Sequence, residues 1–138
     1  MNSIFNKYLK QNICLKNNCI QCCLQTSMFL SLNDIGRIQK QGFLKDYFVK
    51  EKNDWLLLRN IQGRCVFHNG KDCKIYSIRP EGCRLYPLIY DEEYHLSIID
   101  EFCPFKDEFR FQSIDIERLL DLVKQLKDER DARRKRRG

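Results

Sequence analysis

Four of the eight cysteines in this 138-residue chain fall within ten positions, as Cys14-x4-Cys19-x2-Cys22-Cys23. The other four, Cys65, Cys73, Cys83 and Cys103, are strung through the rest. Thiols at this density restrain the backbone whether they are bridged, ligated or packed. The two-residue gap from Cys19 to Cys22 lets both sulfurs converge on one centre, as in many chelating loops. Neighbouring residues ordinarily point in different directions, so Cys22 and Cys23 are expected to serve two partners, or one to ligate while the other packs.

Redox context ranks these options. An even set of cysteines suits a disulfide framework in a small secreted domain. Here Met1 to Lys10 alternates polar and apolar residues, with no hydrophobic stretch and no small-residue cleavage site. The expectation is a cytoplasmic chain with reduced thiols, so ligation ranks ahead of disulfides. Sulfur is soft and negatively charged once deprotonated, which suits zinc, iron or an iron–sulfur cluster. No apolar run approaches the roughly 20 residues needed to span a bilayer.

The length fits one domain with a modest core. Hydrophobic residues at 43% and charged residues at 32% are ordinary for a globular protein. The net charge of +6 is local: Arg133, Arg134, Lys135, Arg136 and Arg137 sit together at the C-terminus, and without them 20 basic residues face 19 acidic ones. The body is therefore nearly neutral.

Ile4, Phe5, Tyr8 and Leu9 form a lead-in expected to pack on the body, and Met28–Leu32 reads as a short strand. Asn33 is the expected N-cap of a helix through Gln41, with Gly42 as its stop. Asp54–Arg59 and Cys65–Phe67 read as strands, and His68–Lys71 as a turn carrying the Asn-Gly signal. Pro80 is expected at the first position of a single helical turn ending near Cys83. Leu88–Tyr90 and Tyr94–Ile99 suggest a hairpin around residues 91–93. Ser113 is expected to cap a C-terminal helix with Ile116, Leu119, Leu120, Val123 and Leu126 at helical spacing. Beyond Asp128 the stripe stops, and a frayed, disordered tail is expected.

The central segment carries a more specific pattern. Cys65, Cys73, Ile75-Tyr76, Arg79-Pro80, Cys83-Arg84 and Tyr86-Pro87 follow in that order. This resembles the YkgJ-type cysteine-cluster family, also called CxxCxxCC, over about Cys14 to Cys103. Ile20 departs from that pattern, standing where a glycine often follows the second cysteine. The resemblance implies ligation of zinc or an iron–sulfur cluster by these cysteines. Some larger relatives look like lysine methylases acting on flagellin, which adds a methylase-like enzyme as a third reading.

Taken together, the expectation is a small α+β domain with short strands around a Cys-rich core site and an amphipathic C-terminal helix. Residues 1–112 form the cysteine-cluster part, and residues 113–138 the helix and tail of the same domain. Candidate metal ligands are Cys14, Cys19, Cys22, Cys23, Cys65, Cys73, Cys83 and Cys103. Eight thiolates exceed what one zinc needs, and Pro104 follows Cys103 as in some ferredoxin runs, so an iron–sulfur cluster ranks ahead of zinc. Arg79 and Arg84 could neutralise cluster charge or bind an anion beside it; the alternative is that Arg79 pairs with a carboxylate and braces the Pro80 turn. Tyr76 and Tyr86 read as core aromatics, His68 as an exposed turn residue, and His95 as structural.

For function, a metal or iron–sulfur protein in electron transfer, or accessory to a modifying enzyme, comes first. A structural-zinc module reaching a protein or nucleic-acid partner through its basic tail comes second. The tail interleaves no aromatic residues for base stacking, which ranks solvation ahead of nucleic-acid contact.

Overall fold

The computed structural model describes Leu24 and residues 26–137. The lead-in residues and the ligand loop Cys14–Cys23 lie outside the described residues. The described residues form a mixed α+β fold of three separate antiparallel ribbons and four α-helices, the last much the longest.

Residues 28–30 run extended beside strand β2 (Trp55–Leu58). Leu58 donates its N–H to the Met28 carbonyl at 3.0 Å and Leu30 donates to Leu56 at 2.7 Å. The expected strand is thus a single bridge, Phe29 to Leu57, cut short where Ser31 turns the chain into a helix. That helix, α1 (Leu32–Gln39), is capped by Ser31 rather than Asn33. The reason is reciprocity: Ser31 Oγ accepts the Asp34 N–H at 3.0 Å, while the Asp34 carboxylate accepts the Ser31 N–H at 3.1 Å. Gly42, at φ +99°, ends the turn that follows.

After α2 (Lys45–Phe48), strand β1 (Val49–Lys52) pairs with β2 from Val49 opposite Leu58 to Lys52 opposite Trp55. Asn53 and Asp54 both have positive φ, 54° and 67°, as a two-residue hairpin turn demands. Leu56, Leu57 and Leu58 are all buried because β1 covers one edge of β2 and residues 28–30 the other. Strands β3 (Asn60–Ile61) and β4 (Arg64–Cys65) make a second tight hairpin around Gln62 and Gly63. Only the start of the expected 65–67 strand is paired.

A 3₁₀ turn at Tyr76–Ile78 leads to α3 (Glu81–Leu85). Pro80 occupies its N-cap rather than its first helical position. The Tyr86–Pro87 peptide is cis. The expected hairpin follows as β5 (Leu88–Asp91) and β6 (Leu96–Ile99), with the Asp91 carboxylate accepting the N–H groups of Glu93 and Tyr94 in its turn.

Helix α4 spans Ser113–Arg137. Ser113 is its first residue rather than its cap; the Asp115 carboxylate reaches back to the Gln112 N–H at 2.8 Å. Leu119, Leu122 and Leu126 are buried against Leu85 and Leu88, with Val123 partly buried beside them. Ile116 and Leu120, expected in the same stripe, are exposed. The helix does not fray at Asp128. Its last turns lie along the β1–β2 turn, where Arg130 donates to the Asn53 carbonyl and Arg133 to the Asp54 carbonyl. Arg134 pairs with the Asp54 carboxylate at 2.9 Å, and Arg137 with Asp54 and Glu51.

Two apolar clusters result. The larger gathers Leu30, Ile35, Ile38, Phe48, Leu56, Leu58, Val66, Phe67 and Ile75, together with Cys65. The smaller is the α3–β5–α4 contact. Among the described residues no helix is long and apolar enough to cross a membrane.

Candidate metal centre

Cys65 ends β4 and Cys73 closes the loop after it, where His68 and Cys73 form an isolated antiparallel bridge. Gly70, at φ +96°, makes the loop tight, and Asn69 Oδ1 accepts the N–H groups of Lys71 and Asp72. The two thiols are close enough to interact electrostatically. Burial pushes the Cys65 thiol up from its usual 9.0 to about 11, and the neighbouring Cys73 adds to the rise. Burial also raises Cys73.

Opposing these effects are hydrogen bonds that favour the thiolates. The backbone amide of Phe67 donates to Cys65 and that of Ile75 to Cys73, each from two residues downstream. The Arg79 guanidinium adds a positive charge that lowers Cys73.

Arg79 is buried, stacked 4.0 Å from the Tyr76 ring centroid and donating to the Tyr76 carbonyl. Those are its hydrogen-bond and ring partners among the described residues, so where the alternative reading had a bracing carboxylate it meets a carbonyl and a ring. Its own carbonyl accepts from Arg37 at 2.9 Å. Arg84 lies on the far side of the same turn and donates to the Ser77 carbonyl at 3.1 Å.

Cys83 sits in α3, partly buried against the larger cluster with Cys73. The N-terminus of α3 is held by Asp34, only 1% exposed, whose Oδ1 accepts both the Glu81 N–H at 3.1 Å and Arg37 at 3.0 Å. One carboxylate thus caps α1 and anchors the turn carrying Arg79 and Cys83. The sequence does not single out Asp34 as a residue that joins two helices. Its signals were Ser-x-x-Asp and the Asp34–Arg37 spacing of three, but neither names a partner 47 residues away.

Cys103 is buried in the turn after β6, and its N–H donates to the Asp100 carbonyl at 3.3 Å. Asp100 is tied back to the Tyr86-Pro87 step: its N–H donates to the Pro87 carbonyl at 2.8 Å, and its carboxylate accepts the Tyr86 hydroxyl. Tyr86 therefore braces the Cys103 turn against the end of α3. His68 is buried rather than exposed, with Nδ1 accepting the Gly70 N–H at 2.9 Å. Burial, then the Arg64 charge, lowers its pKa.

The structure thus packs Cys65, Cys73 and Cys83 in or on the larger cluster, sets the Arg79 charge near Cys73, and ties the Cys103 turn back to Tyr86 through Asp100. Cys14, Cys19, Cys22 and Cys23 lie outside the described residues. Among the described residues, no three of His, Cys, Asp or Glu gather in a metal-binding arrangement. The donor chemistry nonetheless fits a soft cation. Two thiols, one buried and one half-buried, whose ionisation is opposed by burial, yet whose sulfurs accept backbone amides, are stabilised as thiolates once a cation lies between them.

Residues 13–104 match the CxxCxxCC family, described as "Putative zinc- or iron-chelating domain". The chain belongs to the CxxCxxCC family. Comparison with curated proteins and with solved structures gave no match. The match begins just before Cys14 and ends just after Cys103, so all eight cysteines of this CxxCxxCC protein lie inside the family region. The 25-residue helix α4 lies wholly outside it.

Proposed function

We propose that this CxxCxxCC protein holds an iron–sulfur cluster through its cysteines, with zinc as the second choice, and serves in electron transfer or as an accessory to a modifying enzyme. The supporting observation is the matched pair at Cys65 and Cys73, one buried and one half-buried, where each sulfur accepts the amide of the residue two positions on. Such amides tune the charge on cluster thiolates. In this reading Cys65, Cys73, Cys83 and Cys103 act with Cys14, Cys19, Cys22 and Cys23 as the pool of ligands. Arg79 offsets thiolate charge at Cys73, and Arg84 steadies the turn through Ser77. A bound cluster would supply reversible one-electron chemistry, whereas bound zinc would supply only structure.

The test is anaerobic purification followed by visible absorbance and assay of iron, acid-labile sulfide and zinc. A coloured protein with iron and sulfide is expected. Stoichiometric zinc without colour sinks the redox reading, and full metal retention in Cys65→Ser and Cys73→Ser sinks the assignment of ligands.

A further inference from the structure

A second site lies apart from the thiols. A recess of about 290 Å³ opens between α1, the start of α3 and the face of α4 that carries Arg118, Asp121, Leu122 and Gln125. That volume is at the small end for ligand pockets.

The polar groups around it divide into spent and unspent. Asp34 is fully used by the Ser31 and Glu81 amides and by Arg37. Two of the amides at the start of α1 are used as well, since Leu32 donates to Glu129 and Asp34 to Ser31. By contrast, the side chains of Glu81, Arg118 and Asp121 form no hydrogen bond or ion pair among the described residues. Arg37 is anchored by one nitrogen to Asp34 and to the Arg79 carbonyl, while its buried Nε has no partner among the described residues. One wall therefore offers Arg37 and Glu81, and the facing wall offers Arg118 and Asp121.

Both signs of charge on each wall exclude a simple anion site. The carboxylates do not converge as cation ligands, because among the described residues no group of three forms a metal-binding set. What matches alternating charges in a small space is a molecule that carries both. We propose that this recess binds a free amino acid as its zwitterion. The ligand carboxylate meets Arg118 and Arg37, and its ammonium meets Asp121 and Glu81. Two guanidiniums face three carboxylates, counting Asp34, so the recess is net negative. Amino acids with a second amino group bind best, neutral ones next and acidic ones worst.

The experiment is calorimetric titration of the full chain, with its metal bound, using L-ornithine, L-alanine and L-aspartate. Affinity is expected to fall in that order. Arg118→Gln should weaken all three by about tenfold or more through loss of a charged hydrogen bond. Asp121→Asn should narrow the gap between ornithine and alanine. Arg118→Lys, which keeps the charge, should restore part of the loss; this separates ligand contact from damage to α4. Absence of binding by any of the three up to about 10 mM, an affinity too weak to mark a site, overturns the proposal. So does a reversed order, or an Arg118→Gln protein that binds like the parent. Binding that persists in a metal-free chain supports this site, which holds no cysteine; the thiolate reading is decided separately by the iron, sulfide and zinc assay.

Discussion

Cys65 sets a pH limit on the metal-free protein. Its pKa is about 11 in the fold against 9.0 in a free chain, so the unfolded state loses its proton first as pH rises. The stabilisation is fully present below pH 9 and is lost as pH climbs through about 11, a loss of roughly 3 kcal/mol in total. Urea midpoints of metal-free protein should fall across that window, and the fall should shrink in Cys65→Ala, leaving the part that belongs to the raised Cys73 thiol. At Cys73 the sign of one contribution can be tested alone. Arg79→Gln removes the charge that lowers its pKa, so alkylation of Cys73 in metal-free protein should shift to higher pH. An unchanged alkylation profile would show that the guanidinium does not act on this sulfur. The cysteines, Arg79 and Tyr86 were legible as a motif because their order in sequence is distinctive. The burial of His68 was not, because an Asn-Gly turn ordinarily lies in solvent, and only the Cys65–Cys73 loop folding onto the core takes it inside.

Among elements, helices α1 and α3 share one acceptor. Replacing Asp34 by Ala strands the Ser31 and Glu81 amides in a buried site, with an expected cost of about 3 kcal/mol. The unfolding midpoint measures that cost, and a loss below about 1 kcal/mol would mean that water satisfies both amides. The hairpin at residues 88–99 and the body of α4 were readable from period and turn residues. Strand β1 was not, since Lys50, Glu51 and Lys52 are all exposed and carry no apolar alternation. Nor was the run of α4 past Asp128, where helical order depends on carbonyls of a turn some 80 residues earlier. Asp54→Ala should therefore speed hydrogen exchange over residues 130–137 while leaving residues 115–126 slow. Its effect on global stability should stay near 1 kcal/mol or less, because Arg134 and Arg137 are about half exposed. Equal exchange along all of α4 would remove the turn as its anchor.

At the scale of the molecule, the described residues form three two-stranded ribbons that share no common sheet, and two apolar clusters carry their packing. Cys65, Cys73 and Cys83 belong to or pack on the larger cluster, while α4 builds the smaller one. Removing metal with a chelator should then accelerate hydrogen exchange chiefly around residues 56–75, with Leu119 to Leu126 following only at higher denaturant. Uniform acceleration would mean that the two clusters unfold as one. One contact between the two clusters is made by the chain's single tryptophan. Trp55 lies flat on Phe29, 4.9 Å between centroids, and Arg130 of α4 covers it at 4.3 Å. Its indole is thus a built-in optical gauge. Lifting the helix end exposes one face of the ring to water, so a red shift in emission would report that separation without any attached dye.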